Sequence, residues 1–291
     1  MKVGIVFPQT EFGTDPGSLR DFAVTVEELG YSDIVIYDHV IGAHPDRGAT
    51  FNGMPPPYTH ESLFHEPFAL MTYLAAFTAR IELALGVLIL PQRQTALVAK
   101  QATEVDILSG GRLRLGVGTG WNHIEYETLG EDFHTRGRRQ EEQVEVLRRL
   151  WTEELVTFHG KWHNLERVSI LPRPERRIPI WFGGWDDRVL ERAARMGDGF
   201  YTLFPPDDSG KAALDRLDGY LSYNGRDRTN FGVQAHVYYG PGPEQWKPHR
   251  ETWQEMGVDH ICLRTMDAGL TTAAAHINAA REYMEAFKRD S

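Results

Sequence analysis

Short β-branched runs alternate with amphipathic segments from one end of this chain to the other, and that alternation leaves few folds open. Lys2 to Phe7 reads as a strand, Ser18 to Leu29 as a helix and Asp33 to Tyr37 as a second strand. After a loop come a helix over Pro67 to Thr78, a third strand over Ile81 to Leu90 and a helix over Thr95 to Leu108. Arg112 to Gly118 is a fourth strand, and Gly137 to Trp151 a long helix with Val144, Leu147 and Trp151 on one stripe. The pattern continues with a strand over Ile178 to Phe182, a helix over Arg188 to Met196 and a strand over Gly199 to Phe204. Lys211 to Tyr223 (helix), Phe231 to Tyr239 (strand), Glu244 to Met256 (helix), Val258 to Arg264 (strand) and Thr272 to Lys288 (helix) complete it. Eight strand–helix pairs in 291 residues point to an α/β fold, a (β/α)₈ TIM barrel, which typically takes about 250 residues. An open doubly wound sheet is the competing arrangement. No internal repeat or low-complexity linker divides the chain, so one barrel domain over residues 1–291 is expected.

Two interruptions stand out as insertions after strands 2 and 4. Ile41 to Glu66 is rich in Pro, Gly and aromatics and follows the C-terminal end of a strand, the face where barrel enzymes keep their chemistry. Glu154 to Arg177 is the other, with short extended segments expected around Val156 to Phe158 and Val168 to Leu171.

Charge and composition exclude several functions. A net charge of −10 argues against nucleic-acid binding, which needs clustered Lys and Arg, and Arg136, Arg138 and Arg139 are followed at once by Glu141 and Glu142. The single cysteine, Cys262, forbids an intramolecular disulfide and, in the apolar run HICLR, reads as a buried thiol in a reducing compartment. The N-terminus MKVGIVFPQT carries no signal-peptide core and no run approaches a membrane span, so a soluble cytoplasmic protein is expected. The stretch Tyr58 to Glu66 is rich in His and Glu but lacks HExxH, so no metal is expected. Neither a GxSxG elbow nor a P-loop is present.

What remains is a set of motifs at strand ends, which a parallel barrel would gather at one mouth. In RLRLGVGTGWNHIEY, Gly116, Gly118 and Gly120 clear alternate positions of one face, and Trp121 sets a flat ring beside them. A planar cofactor against bare backbone is one reading, and a tight strand-to-helix turn the other. The dinucleotide fingerprint GxGxxG fails, because its last glycine would fall on Trp121 or His123. Asp38-His39 ends the second strand, Gly86-Val87 interrupts the third, and Gly183-Gly184 ends the fifth before a helix. Gly183-Gly184 suits a phosphate, although Asp186 or Asp187 would cap that helix in any case. His39 is the candidate proton carrier, with a structural histidine as the alternative. A glycine-cleared mouth without a metal or nucleophile signature suggests an organic cofactor.

Taken together, GVGTGWNHIEYETLG, GRRQEEQVEVLRRLW, VTFHGKWHNL, IPIWFGG and DDRVLERAARMGDGF resemble, in order and spacing, the luciferase-like monooxygenase superfamily, in particular its branch of F420-dependent oxidoreductases. The resemblance implies a deazaflavin ring over the barrel mouth and hydride transfer between its C5 and a small organic substrate. It places Asp38 and His39 at the ring's polar edge, with His39 as the catalytic residue. It makes Gly86-Val87 a bulge behind the ring, commonly with a non-proline cis peptide. Gly118, Thr119, Gly120 and Trp121 would border the ring, and Gly183, Gly184 and the backbone near Leu203 would hold the phosphate. Sugar-phosphate dehydrogenases of this family carry a glutamate where Trp121 stands here, and Phe204-Pro205-Pro206-Asp207-Asp208 offers no basic residue for a substrate phosphate. Tyr58, Phe64 and Trp121, with Phe51, suggest a substrate pocket for a less polar molecule. An FMN-dependent monooxygenase and a catalytically silent flavin-binding barrel are the alternatives, and a homodimer is implied by family analogy.

Overall fold

The computed structural model describes residues 1–51 and 53–289. Its strands are β1 (Lys2–Val6), β2 (Asp33–Ile36), β3 (Glu82–Leu85), β4 (Leu88–Ile89), β5 (Leu113–Gly118), β6 (Val156–His159), β7 (Asn164–Val168), β8 (Ile180–Gly184), β9 (Gly199–Thr202), β10 (Gly232–Tyr238) and β11 (His260–Arg264). Its helices are α1 (Pro16–Leu29), α2 (Pro67–Ala75), α3 (Thr95–Leu108), α4 (His123–Thr128), α5 (Arg136–Thr152), α6 (Asp187–Met196), α7 (Asp208–Tyr223), α8 (Pro243–Glu255) and α9 (Ala273–Arg289).

The sheet order β3-β2-β1-β11-β10-β9-β8-β5 closes through β3–β5 pairing, with Leu83 opposite Leu113 and Ala84 opposite Arg114. Every pairing in this sheet is parallel, which makes it a closed eight-stranded (β/α)₈ barrel. β3 and β4 are two pieces of one barrel strand, broken at Gly86-Val87, whose peptide bond is cis. The third strand expected over Ile81 to Leu90 is therefore shorter and interrupted, and Leu90 opens a 3₁₀ turn.

Two further differences concern short elements. The second extended piece of the 154–177 segment lies at Asn164–Val168, one arm of an antiparallel hairpin with Val156–His159, and not at Val168 to Leu171. That segment follows α5 and so belongs to a helix-to-strand return, with its tip folded back so that His163 meets Glu142 and Thr95. α4, with Asn122 as its cap, was not foreseen, since six residues are too few to show a helical period.

Local sequence fixes the longer helices. Asp15 caps α1 through the Ser18 amide at 2.8 Å, Pro16 occupies its first turn, and Gly30 ends it in the left-handed region at φ 92°. The barrel floor is sealed by a buried polar layer from the strand beginnings. Arg114 Nη2 donates to Asp33 Oδ2 at 2.7 Å, Gln234 Nε2 to the same oxygen at 2.8 Å, and the guanidinium lies 4.3 Å over Trp181. Cys262 is buried in the barrel interior with Val6, Val35, Ala84 and Met266. Among the described residues, no helix is long and apolar enough to cross a membrane.

Candidate functional site

The strand ends converge as parallel pairing requires, and the first contact they make concerns the glycines. A Cβ at Gly118 would collide with Val87 Cγ2, and one at Gly183 would lie 2.8 Å from Val87 Cγ1. At Gly120 it would lie 2.8 Å from Ile89 Cγ2, and at Gly116 it would meet the Leu85 carbonyl and, at 2.6 Å, Tyr201. The cleared face of β5 is thus filled by the protein itself. Gly118 and Gly183 make room for Val87, Gly120 for Ile89, and Gly116 for the Leu85 carbonyl and Tyr201, so each glycine admits a close neighbour. Gly86 and Val87 stay partly exposed, so they and the rims at Thr119 and Gly120 supply the apolar floor of the mouth.

Asp38 and His39 leave β2 in different directions. Asp38 is 2% exposed, and its carboxylate is taken up by Arg93 Nη2 at 2.7 Å and by the Ile89 amide at 3.0 Å. Through the Ile89 amide it anchors β4, next to the Gly86-Val87 floor. His39 does reach the mouth. Its ring stacks 3.8 Å from Tyr58, meets Phe64 edge-on at 5.0 Å and lies 6.5 Å from Trp121. Its Nδ1 lies 3.3 Å from Glu125 Oε2.

Glu125, absent from the sequence-based candidates, is the centre of this arrangement. It lies on α4 and is 1% exposed. Oε1 accepts from the Val40 and Ile41 amides at 3.0 and 3.4 Å, and Oε2 from Tyr58 at 3.2 Å and Gln92 Nε2 at 3.3 Å. Burial pushes its carboxyl upward, but bonds and charge from His39 and bonds from Gln92 and Ile41 outweigh this, so it is held below the usual range. The Tyr58 hydroxyl, raised far up by burial and by the Glu125 charge, stays protonated and donates.

Residues 41–51 and 53–66 fold over this side of the mouth. Phe51 lies 5.2 Å from Trp121 and 4.8 Å from Trp185, while Tyr58 lies 5.4 Å from both Phe64 and Trp121. Tyr58, expected in the pocket wall, is 4% exposed and serves behind His39, whereas Phe64 and Trp121 remain partly exposed. The His- and Glu-rich run is pulled apart: His65 bonds the Gly13 carbonyl, and Glu66 caps α2 and pairs with Arg93.

On the fifth-strand side, Gly183 and Gly184 are half-buried and open onto α6, with Gly184 at φ 152°. Asp186 caps α6 through the Arg188 amide at 2.9 Å, so the cap competes with any anion there. Arg136 offsets it. Burial pulls its guanidinium below its ordinary value, nearby Arg188 adds to this, and its Nε is buried without a hydrogen-bond partner. Leu203, just past β9, is exposed beside these glycines, since Gly184 pairs with Thr202.

Opposite them are residues that the sequence reading did not single out: Tyr37, His236 and Arg264. Tyr37 Oη and His236 Nε2 lie 3.1 Å apart, and Arg264 pairs with Asp267. Burial holds His236 down at about 4, and likewise His276, on the buried face of α9, at about 4. Both rings are neutral when folded and charge more readily when unfolded, where the ordinary value is 6.5. Stability is therefore fully present above pH 6.5 and lost as pH falls toward about 4. Urea titrations across this window should show that loss, and His276→Gln should reduce it to the share of His236; a flat wild-type profile would contradict the assignment.

A family model described as luciferase-like monooxygenase matches residues 1–290. An uncharacterised protein of Mycobacterium tuberculosis is 36% identical over 215 residues, 72% of either chain. An F420-dependent glucose-6-phosphate dehydrogenase of Kineococcus radiotolerans is 30% identical over 276 residues, covering 89% of this chain and 74% of that one. Among solved structures, a monooxygenase from Streptomyces bottropensis superposes with a TM-score of 0.82 at 19% identity, over 100% of this chain and 99% of that one.

Proposed function

We propose, given that this chain belongs to the luciferase-like monooxygenase family, that it is an F420-dependent oxidoreductase acting on a small, weakly polar organic molecule. The observation that carries this is the mouth itself: a partly exposed Gly86-Val87 floor, faced by His39, with Gly183-Gly184 at a helix N-terminus beyond it. The resemblance to the Kineococcus dehydrogenase, named for F420, supports the cofactor. That relative's named sugar phosphate is less suited here. Trp121 stands where family sugar-phosphate dehydrogenases place a glutamate, and the partly exposed rings of Phe51, Phe64 and Trp121 favour an apolar substrate.

The residues present fit a planar ring joined to a phosphate. Val87, flanked by Thr119, Gly120 and Trp121, gives an apolar seat for the ring. The backbone at Gly183 and Gly184, where β8 ends, and the N-terminus of α6 would hold the phosphate. Deazaflavin, when bound, supplies hydride chemistry at C5. The chain supplies the rest. Phe51, Phe64 and Trp121 exclude water above the floor, Asp38 fixes the floor through Ile89, and His39 holds or gives a proton at its ring nitrogen.

Titration with F420 and with FMN tests this. Quenching of F420 fluorescence on binding, with no comparable FMN affinity, is the expected result. Tight FMN binding with O₂-dependent turnover would replace this reading with a monooxygenase, and binding of neither would replace it with a non-catalytic barrel.

A further inference from the structure

We propose that Glu125 is the positioning residue of this site: it fixes the His39 proton on Nδ1, makes Nε2 the nitrogen presented to the mouth, and ties that state to closure of the 41–66 loop. The proposal rests on the reading of His39 as the proton carrier, but its geometry stands without any cofactor.

An ionised carboxylate accepts hydrogen bonds and cannot donate one. Glu125 receives five donors from three stretches of chain: His39 Nδ1 and the Val40 and Ile41 amides, the Tyr58 hydroxyl, and Gln92 Nε2. That set keeps it charged, so the His39 nitrogen facing it must carry the hydrogen in both the neutral and the charged ring. Proton exchange then falls to Nε2, which makes no protein hydrogen bond among the described residues. Tyr58, stacked on one face of the ring, and Phe64, edge-on, leave it little freedom to flip.

The same carboxylate holds the loop. Two of its donors are the first amides after His39, and a third is Tyr58, deep in the segment that brings Phe51 and Phe64 over the mouth. Asn122, the cap of α4, donates to Tyr58 Oη at 2.9 Å and so locks the hydroxyl toward Glu125. Loss of the charge would release the ring and the loop together.

The test uses the cofactor-free protein with ¹⁵N-labelled histidines. Long-range ¹H–¹⁵N spectra, with His39 identified by the signal missing in His39→Asn, should show the neutral ring protonated at Nδ1. In Glu125→Gln, whose amide can donate or accept, that tautomer should be lost, and proteolysis within residues 41–66 should quicken about tenfold or more. An Nε2–H ring in the wild type, or a ring signal unchanged in Glu125→Gln, overturns the proposal. Should Glu125→Gln not fold, the wild-type tautomer decides, alongside Tyr58→Phe, which keeps the carboxylate and should keep Nδ1–H. Failure of F420 to bind with these spectra as expected removes the cofactor reading and leaves Glu125's role. F420-dependent turnover with an indifferent His39 signal removes this proposal alone.

Discussion

His39→Asn is expected to lower turnover with F420 by about 10²- to 10⁴-fold, the usual contribution of a positioned acid–base group, while the F420 dissociation constant changes little. The split follows from geometry. In the proposed binding mode the ring would rest on Gly86-Val87 and the phosphate would meet the end of β8 and the start of α6, groups other than the His39 side chain. Asparagine keeps a polar group near Glu125 but removes Nε2. Steady-state rates set beside fluorescence-quench titrations separate the two effects. A variant with wild-type kcat would show that the proton moves elsewhere, with the Tyr37–His236 pair the next group to test.

Asp33→Ala should cost about 3–5 kcal/mol of stability, the range seen when one partner of a buried ion pair is removed. Arg114 is 1% exposed, and without Asp33 it keeps a 3.3 Å bond to Gln234, a 3.4 Å approach to Glu82 and the faces of Trp181 and Tyr201, but no fully buried carboxylate. Its Nε and Nη1 are already buried without hydrogen-bond partners, so little remains to hold the charge. For a chain of this size the loss corresponds to a Tm lower by roughly 10 °C. The double change Asp33→Leu with Arg114→Met should be markedly more stable than the single one, because it leaves no unpaired charge. Equal destabilisation would assign the effect to lost volume. Denaturant titrations of the three proteins decide between them.

How much of this could be read in advance depends on how local each signal is. The barrel was legible because β-branched runs such as GIV and DIVI, and the stripe of α5, encode their periods within a few residues. The gathering of Gly86-Val87, Gly118 and Gly183 followed from parallel pairing alone. What fills the glycine sockets did not, since Val87 and Ile89 come from a different strand. Glu125 was invisible for the same reason: its partners sit 33, 67 and 86 positions away, and its own helix is one and a half turns long. The partner of Asp38 was equally out of view, since Arg93 lies 55 positions on.

Val87, wedged between Gly118 and Gly183, has a consequence for handedness. A flat ligand lying on that side chain has one side covered by protein and one side open, so anything it gives or takes must pass on the open side. A deuterium delivered there would be retrieved from the same side on the return trip. The chain would thus distinguish the two faces of a planar carbon by the side chain that covers one of them.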